Sequence, residues 1–172
     1  MNTFQIEAIL ESLLYYTKSN LEFHVIAANE LEQITIKSYP CIVIQNCDKL
    51  GDPGSHWISF FVRSPNETEY FDSYGNDIVL YPNVQVPGKI VKENCTPLQP
   101  SSSETCGHFA IYYAYHRAIG VKYRKILNIL SKSRRGNERI VKQFINNISS
   151  SCKSNLKSHC LQCCKSRIKN RY

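Results

Sequence analysis

Cys106, His56 and Asp72 are the residue types that thiol chemistry needs, and Gln99 adds an amide donor. A thiol is a weak nucleophile until it loses its proton. An imidazole can take that proton, a carboxylate can orient the imidazole, and N–H groups can meet the oxygen that becomes negative during acyl transfer. In the chain these groups come as His56-Trp57, Asp72, Gln99 and Cys106-Gly107, with Gln99 seven positions before Cys106. The expected roles are Cys106 as nucleophile, His56 as general base, Asp72 as orienting acid, and Gln99 with the Cys106 amide as oxyanion donors. Gly107 lacks a side chain beside the nucleophile, so a substrate backbone could come close there.

Each residue also has an ordinary explanation. Cys106 could be a small buried thiol at a helix start. Asp72 could be a turn residue in Asp-Ser-Tyr-Gly, Gln99 a loop glutamine, and Trp57 a core residue. The other histidines, His24, His108, His116 and His159, are weaker bases. His108 stands two positions after Cys106 on the same expected helix and so faces elsewhere. Glu69 and Asp77 are the nearest substitutes for Asp72.

The order separates the set from papain-like sequences that place Cys first and His far downstream. It resembles the adenovirus-type cysteine endopeptidases (adenain-like, including Polinton/Maverick-type viral proteases) and their relatives, the proteases of ubiquitin-like proteins. The residues that carry the resemblance are Pro53-Gly54-Ser55-His56-Trp57, Tyr70-Phe71-Asp72-Ser73-Tyr74-Gly75, Leu98-Gln99-Pro100 and Glu104-Thr105-Cys106-Gly107-His108-Phe109. An upstream run, Val25 to Leu31, is similar to the entry segment of the viral members.

The resemblance implies an α+β, papain-like cysteine protease fold. Its mixed, mainly antiparallel sheet would pack against a central helix carrying the nucleophile, with flanking helices. It implies that Trp57 walls a narrow substrate channel, so that cleavage falls at small, glycine-containing sites in viral precursor capsid or core proteins. It implies a monomer in the virion and host nucleus, with no cofactor required for the chemistry and with activation by DNA and a viral peptide. Two alternatives share the residues. One is a deubiquitinase or SUMO-type protease cleaving after Gly-Gly. The other is a catalytically idle, nucleic-acid-binding virion protein.

The local patterns indicate what holds these groups. An amphipathic helix is expected over 4–17, with Phe4, Ile6, Ile9, Leu10, Leu13 and Leu14 available for its buried face. Lys37 to Asn46 reads as a strand, and 46–54 as a turn-rich loop. Trp57 to Val62 and Thr68 to Asp72 read as the two strands of an antiparallel hairpin that carries His56 and Asp72. Pro82, Pro87 and Pro97 exclude a long helix over 76–98. Cys106 opens a helix that Gly120 stops, and the unpaired N–H groups of its first turn favour a thiolate. Further helices are expected near 121–131 and 137–148.

The chain has 172 residues, enough for one domain with a core. A hydrophobic share of 42% with mixed charge suits a soluble globular chain with no membrane partner. The first sixteen residues carry Glu7 and Glu11 and no early basic cluster, unlike a secretory signal. Eight cysteines are therefore not read as a disulfide framework. The Asn-x-Ser/Thr triplets at Asn66, Asn94 and Asn147 are read as chance.

The net charge of +7 is unevenly spread. Positions 132–172 hold eleven Lys/Arg and one acid, whereas positions 1–131 hold ten Lys/Arg and thirteen acids. The expected division is a protease domain over 1–149 and a basic, Cys-rich tail over 150–172. That tail suits a polyanion such as DNA. Cys160-x-x-Cys163 has metal-ligand spacing, and Cys152 or His159 could complete a zinc site. A lone pair of this kind also fits a redox crosslink or incidental thiols.

Overall fold

Asn2 and Gln5 close a reciprocal capping box. The Gln5 N–H donates to Asn2 Oδ1 and the Asn2 N–H donates to Gln5 Oε1, each at 3.0 Å. This starts α1 (Thr3–Tyr16). The chain continues through β1 (Glu22–Ile26), β2 (Cys41–Asn46), β3 (Trp57–Ser64), β4 (Glu67–Phe71) and β5 (Lys89–Lys92). It ends in α2 (Cys106–Ala118), α3 (Tyr123–Ile129) and α4 (Arg134–Asn155). This is a computed structural model, and it describes residues 1–131 and 133–155.

The strands form one five-stranded sheet in the order β1-β2-β3-β4-β5. The two inner pairings, β2 with β3 and β3 with β4, are antiparallel. The two outer ones, β1 with β2 and β4 with β5, are parallel. The fold is therefore α+β with a mixed sheet, but the sheet is evenly divided rather than mainly antiparallel. The difference lies in β1 and β5, short edge strands that the sequence patterns do not announce. The expected strand from Lys37 begins only at Cys41, because Pro40 has no N–H to give a ladder.

β2 reads Cys-Ile-Val-Ile-Gln-Asn and is buried at every position, as an apolar run covered on both faces must be. On one face Ile42, Ile44, Phe61 and Phe71 pack with Ile6 and Leu10 of α1 and with Phe109 and Tyr113 of α2. The rings of Phe71 and Tyr113 lie parallel with centroids 4.5 Å apart. On the other face Val43, Ile58, Phe60 and Tyr70 are covered by loop residues, among them Ile34, Ile36, Ile78 and Val84. Each large side chain buried in these layers contributes about 1.5–3 kcal/mol. Ser59, small and fully buried, lets α2 approach β3, and its hydroxyl donates to the Ala110 carbonyl at 3.2 Å.

The buried face of α1 is Ile6, Leu10, Leu13 and Leu14, with Ile9 partly covered. Phe4, expected on that face, is 72% exposed. The last two helices fall near their expected places, but α4 starts earlier and runs on to Asn155. The expected boundary at 149/150 thus falls inside a helix. Among the described residues no helix is long and apolar enough to cross a membrane.

Candidate active site

The β3–β4 hairpin brings His56 and Asp72 together at its open end. His56 immediately precedes β3 and Asp72 immediately follows β4. His56 Nε2 lies 2.6 Å from Asp72 Oδ1. A carboxylate can only accept, so the ring carries its proton on Nε2. His56 is 5% exposed and Asp72 fully buried.

Asp72 is held from both sides. Its Oδ1 also accepts from the Tyr74 N–H at 2.9 Å. Its Oδ2 accepts from the Asn76 N–H at 3.1 Å and the Tyr81 hydroxyl at 2.9 Å. The turn that makes this possible passes through Gly75, whose φ is +69°. A Cβ there would lie 2.5 Å from the Thr96 carbonyl carbon. Glu69 takes no part. It is buried on the helix side of the sheet and pairs with Arg117 at 2.8 Å. Asp77 is occupied in accepting from the Val79 N–H at 3.0 Å.

Two tyrosines stack on the His56 ring. Tyr74 lies 4.7 Å away and Tyr81 5.6 Å, both within about 30° of parallel. Stacked aromatic faces favour the cationic ring.

Cys106 is the first residue of α2 and is 8% exposed. Burial alone would raise its thiol, but the hydrogen bond and charge of His56, aided by the Trp57 and Gly107 amides, bring it below the usual range. His56 moves the opposite way. Burial would lower the ring, yet Asp72 and Cys106 together raise it to about 9. His56 Nδ1 is buried without a well-aligned hydrogen-bond partner in this resting arrangement. The thiol is nevertheless close enough for each group to favour the other's charged form. The buried thiols of Cys41 and Cys47 move the other way, since burial drives Cys41 up to about 12 and Cys47 higher still.

Gln99 belongs to the same assembly through Tyr74. Its Oε1 accepts from the Ser73 hydroxyl at 2.7 Å, and its Nε2 donates to the Ser103 carbonyl at 2.6 Å. The second amide hydrogen makes only a long contact, 3.3 Å, to the Tyr74 hydroxyl. That hydrogen is the one with freedom to meet an oxyanion. The segment bearing Gln99 is clasped to the segment bearing Asp72. The Leu98 and Gln99 N–H groups both donate to the Ser73 carbonyl, at 2.8 and 2.9 Å. The Asn94 side chain accepts from the Asp72 N–H at 3.0 Å and donates to the Asp72 carbonyl at 2.6 Å. This use of Asn94, which is 4% exposed, explains why its triplet cannot be a sugar acceptor in the folded chain. From α4, the Asn137 side chain donates to the Leu98 carbonyl at 3.1 Å.

Trp57 sits beside the pair, 6% exposed, and its indole N–H donates to the Met1 carbonyl at 3.0 Å. Gly107 departs from its expected use. The space where its Cβ would stand is bounded by Met1, at 3.2 Å, and Ile6, so its bareness admits the chain's own first residues. Nothing in the sequence gives Tyr74, Tyr81, Asn94 or Ser73 a part in the site. Ser73 and Tyr74 lie inside the Asp72 motif. Tyr81 and Asn94 lie in the proline-broken stretch, where nothing marks Tyr81 and only the Asn-x-Thr triplet marks Asn94.

His159, Cys160 and Cys163 lie outside the described residues, and Cys152 is placed only as a backbone position in α4. Among the described residues the one metal-like cluster is Glu22, His24 and Cys41, with ligand atoms within 4.8 Å of one another. The carboxylate of Glu22 is already engaged by the Lys37 and Ser38 N–H groups, the Ser38 hydroxyl and His24. Burial would raise Glu22, but these donors hold it down at about 2. The cluster is explained as a clamp on the loop that leads into β2.

No protein-family model matches the chain, and no curated protein matches it.

Proposed function

We propose that this chain is a cysteine endopeptidase with a papain-like arrangement, of the adenovirus type. One observation carries the reading. A buried imidazole, bound at 2.6 Å to a buried carboxylate, stands beside a helix-start thiol, and the pair favours thiolate and imidazolium.

The chemistry follows from that pair. The Cys106 thiolate attacks the scissile carbonyl carbon. The new oxyanion is met by the Cys106 amide and by the Gln99 amide hydrogen that Tyr74 holds only loosely. The His56 imidazolium then protonates the leaving amine, and the carbonyl re-forms as a thioester. Neutral His56 next takes a proton from water, which attacks the thioester and releases the acid and the thiol. Asp72 keeps Nε2 protonated throughout, so that Nδ1 faces the reaction. The small exposure of Cys106 beside Trp57 suits a slim, glycine-containing segment at the scissile bond.

The substrates in this reading are precursor proteins of a virus or virus-like element, and the basic C-terminal segment binds DNA. Both rest on the sequence resemblance and on the charge of positions 132–172.

The test is labelling of the chain with an electrophilic cysteine probe from mildly acidic to neutral pH, followed by mapping of the modified residue. Selective labelling of Cys106 that is lost in His56→Ala supports an activated pair. Cleavage of glycine-containing peptides that is abolished in Cys106→Ala, with that variant still folded, supports the peptidase. Labelling spread evenly over several cysteines refutes the reading. A strong preference for Gly-Gly conjugates of ubiquitin-like proteins over capsid-like peptides favours the deconjugating alternative.

A further inference from the structure

A groove of about 660 Å³ leads away from Trp57. Its volume is that of a site for a short peptide or a drug-sized ligand. Consecutive residues of β1, Phe23 to Ile26, all line it. Neighbouring residues on a strand point to opposite faces, so a cavity that touches all of them meets the strand along its edge. β1 is an edge strand, hydrogen-bonded only to β2 among the described residues. An edge strand offers a row of outward N–H and C=O groups to an extended chain.

Two exposed apolar side chains line the groove, Phe4 at 72% and Leu50 at 66%. The lining also carries four carboxylates, Glu7, Glu30, Asp48 and Asp52, against two ammonium groups, those of Lys49 and of the Met1 N-terminus. Asn46 also lines the groove. Its Oδ1 accepts from the Asp48 N–H, and its Nδ2 stands beside Gly54, where it can donate to a peptide carbonyl.

We propose that this groove binds the substrate as an extended strand along β1 and selects segments that carry a lysine or arginine near the scissile bond. The proposal rests on the peptidase reading and adds the charge class of its substrates. The backbone is held by the β1 edge and by Asn46 Nδ2, and the cationic side chain lies among the four carboxylates. A negative groove also draws cationic segments from solution, an attraction that salt weakens.

Trp57 is the single tryptophan of the chain and lines the groove, so its fluorescence reports binding without turnover. The experiment titrates the full chain with matched glycine-containing peptides that carry Lys or Glu at each flanking position in turn. Cleavage of the same peptides is followed in parallel. At low salt a Lys peptide should bind and be cleaved roughly tenfold better than its Glu partner at one or more positions. The preference should shrink as salt rises. Asp52→Lys, at an exposed turn position, should flatten it, and Asp52→Lys with Glu7→Lys should invert it. Asp52→Asn, milder still, should give part of the effect. Equal binding of Lys and Glu peptides at every position overturns the proposal, as does a preference unchanged in the Lys variants. Lys-selective binding without cleavage supports the groove and refutes the peptidase. Cleavage without charge preference does the reverse.

Discussion

Replacing Asp72 by Asn keeps the shape of the side chain and removes the charge that holds His56 protonated. Four donors converge on this carboxylate: His56 Nε2–H and the Tyr74 N–H at Oδ1, and the Asn76 N–H and Tyr81 hydroxyl at Oδ2. An amide offers them one oxygen. With that oxygen toward His56, its NH2 meets the Tyr81 hydroxyl, which can turn to accept, and the Asn76 N–H, which cannot. One buried donor facing another costs about 1–3 kcal/mol of stability. The chemical effect is separate. His56 stands at about 9 instead of 6.5, a difference of about 3 kcal/mol between its two protonation states. Without Asp72, burial of the ring is opposed by the thiol alone, and the ring falls back toward its ordinary value or below. The thiolate is then no longer sustained in mild acid. The rate of Cys106 alkylation by iodoacetamide at about pH 6 should fall at least roughly tenfold in Asp72→Asn. In the proposed mechanism peptide hydrolysis needs the imidazolium, which in the wild-type chain persists below about 9 and is lost above it. Its alkaline limb should therefore move down toward neutrality in the variant. Alkylation at the wild-type rate in mild acid, by a variant whose thermal unfolding shows it folded, would refute the argument that Asp72 sets the charge of the pair.

Gln99→Ala should lower kcat on a glycine-containing peptide by on the order of 100-fold with little change in KM, as measured by steady-state hydrolysis. Gly75→Ala must place a Cβ 2.5 Å from the Thr96 carbonyl carbon at a φ of +69°. It should cost at least about 2 kcal/mol in thermal or urea unfolding and displace the turn that orients Asp72. Glu22→Gln should destabilise the chain by about 1–2 kcal/mol near neutral pH, because an NH2 group then faces the Lys37 and Ser38 N–H donors. Glu22 is held below its unfolded value of 4.5, so its contribution is present above that value and disappears as pH falls through about 2. Urea unfolding of the two forms should converge in that window.

How much of this was legible in the sequence differs from residue to residue. His56, Asp72 and Cys106 sit at the ends of elements with strong local patterns. The β-prone runs of β3 and β4 and the helical run of α2 place them correctly, and the hairpin brings the first two together. The parallel edge strands were not legible. β1 and β5 are short, and β5 is only Lys-Ile-Val-Lys, so neither carries enough periodicity to stand out from a loop. Each also pairs in parallel with its neighbour in sequence through a crossover, 27–40 or 72–88, that carries no long helix to announce it. Tyr81 reaches His56 and Asp72 only because the chain over 76–81 doubles back across the sheet, a path no spacing reveals. Phe4 and Gly107 were read by local rule, as a buried helix residue and an opening for substrate. Phe4 is exposed instead, and the packing of Met1 and Ile6 beside Gly107 fills the space expected to be open.

The clasp between Asp72-Ser73 and Asn94 to Gln99 has a consequence for how the molecule fails. Asp72, which holds His56, and the Gln99 amide expected to meet the oxyanion hang on one shared set of hydrogen bonds. A fluctuation that frees one therefore frees the other, and the two form a single cooperative unit in the sense used for hydrogen exchange. The amides of Asp72, Leu98 and Gln99 should exchange with one common opening free energy. Substitutions at Ser73 and Asn94 should combine non-additively, because the first already releases what the second would break. Heat or denaturant then meets one threshold at this end of the sheet, at which the hold on His56 and the placement of the Gln99 amide are lost together.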